Sequence, residues 1–455
     1  MSTLNQYRYL AQVVIELTSP LAIGSGEKLF ETDAAVAVDS NYLPYIPGTA
    51  IAGVVRSLMD PSQKDVFFGQ AGDNPIGSSI LFTEAKIINS QGRVMDGIVP
   101  YSDIAKDPIL QFYSDLPIRQ HVRINHRGVS DEDNYGKFDE QIVYAGTRFC
   151  FELEMISNTD KDHRFQQVLD TICHGEFRLG GGTRNGFGNV KVVDLQQKEI
   201  NLNNPTERNE YLNKSAMLGS GFWSKDFHPA PQKPSNEWDE YILELKADDF
   251  FYFGSGLGDD EVDMTPVTEY VVDWNGDKVT WKECYLLPAS SIKGAISHRV
   301  CYHWNKQKGY TVGHPYATTG EDNPAVSTLF GFIGKSQDKQ ERGHVIMSDV
   351  FIEKTALNSY VNSHLAVDRF TGGALDGALF FEKNVYAHDH PIQLTILVDK
   401  KVSNNSDSNK AIIQNALEET LKDICRGLLP LGGGVNRGNG VFSGRLIKNT
   451  EVIYE

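Results

Sequence analysis

The feature that most constrains the fold is a degenerate repeat, in which the same motifs follow one another twice in the same order. Residues 13–17 are apolar except for Glu16 and lead to Gly24-Ser25-Gly26, while residues 241–245 are apolar except for Glu244 and lead to Gly254-Ser255-Gly256. A short apolar run before turn residues predicts a β-strand, and the glycines predict a tight turn after it. The repeat runs through both halves of the 455-residue chain and therefore predicts two domains of one fold.

Each half continues with a helix, further strands, a second helix and a glycine-rich loop. Prolines and the hydroxyl residues Thr49, Ser290 and Ser291 precede apolar residues at helical spacing, which predicts capped helix starts. The glycine-rich loops at 179–188 and 431–440 each follow an amphipathic helix and precede a closing strand. The order strand, helix, strand, strand, helix, strand predicts an α+β fold of the ferredoxin-like (RRM-like) type.

The division of the chain follows from the positions of the two copies. We expect a first domain at 1–196, a linker at 197–237 that is rich in Asn, Lys, Pro and Ser, and a second domain at 238–455. Two irregular stretches, about 95–144 and about 309–343, are longer than ordinary loops and predict functional insertions.

Composition excludes several classes of protein. The chain has 60 acidic and 43 basic residues, a net charge of −17, which disfavours loose attraction to nucleic acid but permits a local basic groove. Neither a long apolar segment nor a secretory leader is evident, so we expect no membrane association and a cytoplasmic protein. Five widely spaced cysteines predict reduced thiols and no structural zinc.

Together, the repeated motifs resemble the RAMP superfamily. The resemblance rests on the G-S-G turn, the helix start, an F-G motif at Phe67-Phe68-Gly69 and Leu329-Phe330-Gly331, and the terminal G-G-G loop. More closely, the chain resembles a backbone subunit of type III CRISPR effector complexes, fused as a double copy as in subtype D variants. Such subunits bind a guide RNA in a groove across the sheet and insert a thumb hairpin that flips bases out. The resemblance therefore implies an antiviral ribonucleoprotein whose partners are guide RNA, single-stranded target RNA and other effector subunits, with base pairing reading the target.

The resemblance also implies an endoribonuclease site. It identifies Asp33, on the loop after the first turn, as required for divalent-metal-dependent cleavage, with Mg²⁺ as the expected ion and Asp33 as a candidate ligand. Physically, a carboxylate beside an unstacked nucleotide can hold a metal or orient the ribose 2′-hydroxyl for attack on the next phosphate, leaving a cyclic phosphate and a free 5′-hydroxyl. In the second half, counting forward from the turn selects Asp263, with Asp260 as fallback, whereas counting back from Asp273 places Val267 opposite Asp33.

Each expected RNA-binding residue offers one of three features: a backbone amide open to phosphate, a polar side chain at a turn or helix start, or a basic side chain. By resemblance, Lys293 assists with a guide phosphate, whereas Ala52 at the matching position cannot, and Arg56 is expected to replace it. The glycine loops could equally be tight connections, and the hydroxyls ordinary helix caps. The expected set is Gly24, Ser25, Gly26, Thr49, Arg56, Arg119, His121, Arg123, His126, Arg127, Gly181, Gly182, Arg184, Ser290, Ser291, Lys293, His364, Arg369, Gly433, Gly434, Asn436 and Arg437.

Two other functions stay open on the sequence alone. One is a non-catalytic, architectural guide-RNA-binding subunit. The other is a metal-free guide-processing RNase with His121 or His126 as general base. Replacement of Asp33 by alanine separates the cleaving subunit from the architectural one, because only the former loses a cleavage product while still binding RNA.

Overall fold

A computed structural model describes residues 5–26, 32–70, 75–122, 124, 136–223, 233–276, 278–311, 313–333, 340–402 and 408–455. The helices of the first half are α1 Gly48–Leu58, α2 Pro61–Phe68, α3 Tyr101–Lys106, α4 Arg164–Ile172 and α5 Pro205–Leu212, with a 3₁₀ turn at Leu110–Ser114. Its strands are β1 Tyr7–Leu17, β2 Tyr45–Ile46, β3 Ile80–Phe82, β4 Ala85–Ile87, β5 Ile118–Val122, β6 Lys137–Gln141, β7 Arg148–Ser157 and β8 Val190–Asn201.

The second half has the longer helices. They are α6 Ala289–Gln307, α7 Pro324–Phe330 and α8 Ser408–Cys425, with 3₁₀ turns at Gly320–Asp322, Lys354–Ala356 and Val435–Arg437. The strands are β9 Trp238–Ala247, β10 Phe250–Phe251, β11 Thr268–Asp273, β12 Thr280–Leu287, β13 Gly331–Ile333, β14 Gln340–Arg342, β15 Val345–Met347, β16 Val350–Glu353, β17 Asn358–His364, β18 Phe380–Tyr386, β19 Pro391–Asp399, β20 Phe442–Lys448 and β21 Glu451–Tyr454.

Each half contains an antiparallel sheet, and four strands follow the same order in both, β4-β7-β1-β8 in the first half and β15-β19-β9-β20 in the second. In the first half the order is β2-β4-β7-β1-β8, with β3 also paired to β7, and in the second it is β15-β19-β9-β20-β21. The opening strand of each half therefore lies between the closing strand and the strand that precedes the second helix. The chain is thus a mixed α and β protein in which four strands of one sheet have the same order as four strands of the other.

Two helices cover each sheet and complete its core. In the first half, Ile51 and Val55 of α1 and Val168 of α4 are fully buried in one cluster with the inward residues of β1. Helices α6 and α8 bury the corresponding residues of the second half. Their apolar residues recur at intervals of three and four, so one face of each helix meets the sheet. The hydroxyl of Thr49 lies in the first turn rather than at the cap, because α1 begins directly after Pro47.

Each half also carries a long hairpin outside the main sheet. We call the pair β5 and β6 the first hairpin, and the pair β17 and β18 the second hairpin. The first lies within the insertion expected at about 95–144, whereas the second lies beyond the one expected at about 309–343.

The segment expected to be a linker is largely packed onto the first half. Strand β8 continues to Asn201 along β1, and α5 follows it. Trp223 is buried against Leu10 and Ile200. Residues 224–232 of this segment lie outside the described part of the chain.

The second half also completes the core of the first. Val272 on β11 is buried within the first-half cluster, and the backbone N–H of Val272 donates to the carbonyl of Ala145 at 3.0 Å. The Trp281 ring lies 4.8 Å from the ring of Tyr144, and its indole N–H donates to the carbonyl of Pro108 at 2.9 Å. The two halves therefore form one packed unit along this junction.

All five cysteines are unpaired. Within the described ranges, no helix is long and apolar enough to cross a membrane.

Candidate functional site

Hydrogen bonds after each glycine turn decide which residue of the second half corresponds to Asp33. The N–H of Ser25 donates to the carbonyl of Ala35, and that of Ser255 donates to Thr265, both at 2.9 Å. Ala35 and Thr265 therefore occupy the same position in the two halves.

Counting back two residues from this position gives Asp33 in one half and Asp263 in the other. Both aspartates are exposed. Val267 corresponds instead to Ala37, and Asp260 lies farther toward the turn. Of the two ways to align the halves, the pairing supports the one that selects Asp263.

Each aspartate lies against the second strand of its hairpin. The Asp33 N–H donates to Oδ1 of Asp139 at 3.3 Å, and the Asp139 N–H donates to Oδ2 of Asp33 at 3.4 Å. In the second half, the Phe381 N–H donates to Oδ2 of Asp263 at 2.8 Å, and the Asp263 N–H donates to the Phe381 carbonyl at 3.1 Å. The positions match, but the hairpin residue beside the aspartate is Asp139 in the first half and Phe381 in the second.

A stacked histidine and phenylalanine pair stabilises each hairpin. The rings of His121 and Phe138 lie 4.8 Å apart, as do those of His364 and Phe380. Phe187 also meets the His121 ring edge-on at 5.7 Å. Because His121 is only 8 % exposed, its imidazole packs in the hairpin rather than facing a groove, which argues against its use as a general base.

A glutamate follows at the next inward position of each hairpin. Glu382 is completely buried and accepts hydrogen bonds from Arg437 and, at 3.2 Å, from Nδ2 of Asn439. Glu140 lies with Oε1 at 3.1 Å from Nε2 of His121. Arg437, expected to bind RNA, is thus paired with a buried carboxylate of its own half.

The glycine-rich loops begin beside the strands that lead to the G-S-G turns. The N–H of Gly181 donates to the carbonyl of Ala22 at 2.7 Å, and that of Gly433 donates to Tyr252 at 2.6 Å. Turn, aspartate loop and glycine-rich loop therefore lie at one edge of each half.

Positive side chains gather where the first glycine-rich loop meets the second half. Arg184 donates from Nε to the carbonyl of Gly343 at 2.5 Å, and Lys293 donates from Nζ to Oδ1 of Asn185 at 3.1 Å. Arg178, only 6 % exposed, lies at the base of the loop. The loop of one half and the helix start of the other thus share one site.

The positive charge at this junction is poorly neutralised. Burial, and then the charge of Arg184, lower the pKa of Lys293 to about 8. Burial and Arg342 lower the pKa of Arg184, opposed by Asp399, and burial and Arg184 lower the pKa of Arg178, opposed by Asp349. Arginine nevertheless stays protonated in proteins, so the lowered pKa values indicate cations that an anion would stabilise.

Arg119 was expected to line the RNA path, but it is buried between two carboxylates. It pairs with Glu269 and Asp349 of the second half, so its guanidinium is not available to phosphate. Arg56 lies on the surface near Asp65, at 3.5 Å.

The remaining expected RNA-binding residues lie mostly at the surface. Those that are exposed are Gly24, Ser25, Gly26, Thr49, Gly181, Ser291, Arg369 and Asn436, and those partly buried are Gly182, Ser290, Gly433, Gly434 and His364. Arg123, His126 and Arg127 lie outside the described residues.

Sequence reasoning missed Asp139 and the two hairpin glutamates. A signal was present, because F-x-E recurs at Phe138-Asp139-Glu140 and Phe380-Phe381-Glu382. Each copy follows a histidine that lies across its hairpin, at His121 and His364.

Asp33 and Asp139 are suited to a divalent ion that keeps most of its water. Mg²⁺ commonly binds through one or two carboxylates together with phosphate oxygens of the substrate. Within the part of the chain that the structure describes, no cluster of three or more His, Cys, Asp or Glu side chains is arranged as a metal cage. Two carboxylates would hold such an ion only together with phosphate oxygens of bound RNA.

Comparison with known proteins agrees with the internal repeat. No curated protein matches the chain. A model of the RAMP superfamily matches residues 14–191 and 274–443, one stretch in each half. Membership of this superfamily implies a CRISPR-associated RNA-binding subunit, with CRISPR RNA and an effector complex as partners, and the superfamily includes some RNases. Because the two matches together cover most of the sequence, the chain belongs to the RAMP superfamily.

Proposed function

We propose that this protein is a double-copy backbone subunit of a type III, subtype D-like CRISPR effector, which binds guide RNA and cleaves complementary target RNA. The observation that most supports this proposal is that Asp33 and Asp263 lie at equivalent positions against their hairpins. The matching strand order of the two sheets supports a ferredoxin-like fold for each copy.

The junction between the halves is the proposed path of a guide phosphate. Lys293, Arg184 and Arg178 supply positive charge there, and burial makes their neutralisation favourable. The N–H groups of Gly181 and Gly433 already donate to carbonyls of the chain, whereas Ser290 and Ser291 stand in the first turn of α6 close to Lys293 and add hydroxyls there. Base pairing with the guide would then select the target.

Cleavage is proposed at Asp33. An exposed carboxylate can orient the 2′-hydroxyl of an unstacked target nucleotide and accept its proton, so that the 2′-oxygen attacks the adjacent phosphorus while the 5′-oxygen leaves and takes up a proton from water. The N–H group of each aspartate donates to the carboxylate of the other, and these two hydrogen bonds hold Asp33 in place against Asp139. Bound beside both carboxylates, Mg²⁺ would supply charge stabilisation for the phosphate.

The second half carries one carboxylate at the matching place, since Phe381 replaces Asp139. This favours weaker cleavage or a purely architectural role for the second half. A metal-free mechanism through His121 is disfavoured by its burial between aromatic rings.

The test is cleavage of guide-complementary RNA by the assembled complex containing Asp33→Ala or Asp263→Ala. Loss of one product in Asp33→Ala, by about 100-fold or more as for groups that act directly on the reacting atoms, with guide RNA retained, supports the proposal. Asp260→Ala tests the fallback position on the loop of Asp263, and because Asp260 is exposed but lies outside the matching position, we expect this variant to leave every product unchanged. If Asp33→Ala leaves every product unchanged, the protein does not cleave at this site.

A further inference from the structure

The first hairpin is anchored on the second half by one buried arginine. From β5, Arg119 donates through Nε and Nη2 to both carboxylate oxygens of Glu269, at 2.8 and 2.6 Å. It also donates through Nη1 to Asp349. Burial by itself would lower the pKa of Arg119, but the two carboxylates raise it. The guanidinium is therefore held as a cation in a two-pronged contact, which fixes direction as well as distance.

The receiving side of this contact is rigid. The Asp349 side chain is completely buried, and its Oδ1 accepts the N–H of Ala289 at the start of α6, at 2.8 Å. Gly186 of the first glycine-rich loop lies directly against it, since a Cβ there would come within 2.3 Å of Oδ1. Asp349 thus has little room to move.

The same hairpin holds the Asp33 loop. Glu140 on β6 lies opposite Arg119 on β5. On the other side of β6, the N–H of Gln141 donates to the carbonyl of Ala34 at 2.9 Å, and Asp139 exchanges hydrogen bonds with Asp33. A short hydrogen-bonded path therefore connects the second half to Asp33.

The second hairpin is held differently. Asn362 occupies the position of Arg119, because it lies opposite Glu382 as Arg119 lies opposite Glu140. Here the buried glutamate itself is the anchor, and it binds Arg437 and Asn439 of its own glycine-rich loop. Asp263 is consequently supported from within its own half.

From this difference we infer that Arg119 is a positioning residue, through which Glu269 and Asp349 of the second half set the place of Asp33 in the first half. Asp263 does not depend on this contact. The inference rests on the proposed function for the role of Asp33 in cleavage.

Glu269→Gln tests the inference, because it keeps the shape of the side chain and removes its charge. In the assembled complex, we expect the Asp33-dependent product to form about tenfold more slowly, as displaced catalytic groups do. Retained guide RNA and the Asp263-dependent product should not change. Glu382→Gln should leave the Asp33-dependent product unchanged and slow any product that depends on Asp263, and Glu244→Gln, from an exposed ion pair with Arg445, should change neither.

A second pair of variants tests positioning rather than folding alone. Arg119→Gln should slow the Asp33-dependent product, and Arg119→Lys, which keeps the charge but not the two-pronged geometry, should restore part of it. Unequal loss of the two products, with partial rescue, is not expected of a general loss of structure.

Amide exchange in the free chain provides a readout besides cleavage. Gln141 and Lys383 are matched probes, since the Lys383 N–H donates to Met264 at 3.0 Å as that of Gln141 does to Ala34. Glu269→Gln should speed amide exchange at Gln141 severalfold and leave exchange at Lys383 unchanged. Glu382→Gln should speed exchange at Lys383 and leave exchange at Gln141 unchanged.

Failure of the positioning role of Arg119 can be distinguished from failure of the proposed function. Equal loss of both products in Glu269→Gln, or normal Asp33-dependent cleavage with normal Gln141 exchange, overturns the positioning role. If Asp33→Ala itself removes no product, the proposed function fails first, and the catalytic part of this inference fails with it.

Discussion

The two hairpins hold equivalent aspartates by different means. Each hairpin stacks a histidine on a phenylalanine and places a glutamate at the next inward position. The first hairpin relies on Arg119 and the carboxylates of the other half, whereas the second relies on Glu382 and its own loop. A duplicated architecture therefore keeps the position of a side chain while changing its support, and the support decides which mutations each site tolerates.

The largest expected difference between the halves concerns equivalent glycines. Gly186 and Gly438 both have positive φ, 114° and 93°, but a Cβ at Gly186 would meet buried Asp349, whereas a Cβ at Gly438 would meet nothing within 4 Å. Gly186→Ala should lower the free energy of unfolding by about 3 kcal/mol, from backbone strain and overpacking. Gly438→Ala should cost about 1 kcal/mol from strain alone. Urea unfolding of the two variants checks this, and equal costs would contradict the tight contact at the junction.

The next difference concerns the second carboxylate. Asp139→Asn removes a charge but keeps the oxygen that accepts the Asp33 N–H. The Mg²⁺ concentration for half-maximal cleavage by the first half should rise about tenfold, as when a supporting group of a metal site is lost. Phe381→Asp should lower the Mg²⁺ concentration that the second half needs for half-maximal cleavage, so this variant tests a gain of function. A Mg²⁺ titration in which neither substitution moves its product would show that this position does not affect the metal.

The smallest expected difference is one of pH. Lys293, whose counterpart is Ala52, has a pKa of about 8 against an ordinary 10.5 because it is buried beside Arg184. Above about pH 8 the folded chain loses this proton while the unfolded chain keeps it to about pH 10.5. This lysine therefore makes the RNA-free chain more stable as pH rises through that window.

Its contribution to guide binding has the opposite sign, because a neutral amine attracts phosphate less. Guide affinity should fall severalfold from pH 7 to pH 9, in line with the loss of one phosphate contact. Lys293→Met should bind more weakly at pH 7 and show a flatter pH profile. If the pH dependence of guide affinity is the same in Lys293→Met as in the unmodified protein, the group that titrates is not Lys293.

The repeat made much of the architecture predictable. The motif order in each half anticipated the sheets and the helices that cover them, because local patterns determine local elements. Asp33 came from the resemblance to the RAMP superfamily, and its role stays a prediction. The repeat left Asp263 and Val267 as alternatives for the matching position, and the hydrogen bond from Ser255 to Thr265 favours Asp263.

The junction was not predictable in the same way. Arg119 stood in a basic cluster and suggested an RNA path, yet its partners Glu269 and Asp349 lie 150 and 230 residues away along the chain. No local pattern indicates which charges a domain contact will bury, so the sequence could identify the cluster but not its partner. The same reasoning applies to Lys293, whose low pKa depends on burial by the other half.

The placement of Val272 and Trp281 in the first core has a consequence for synthesis. When synthesis has reached residue 237, every strand of the first sheet has been made, yet the Trp281 ring that packs on Tyr113 and Tyr144 has not. About forty further residues must be synthesised before the core of the amino-terminal half is complete, so this half cannot finish folding in the order of translation by itself.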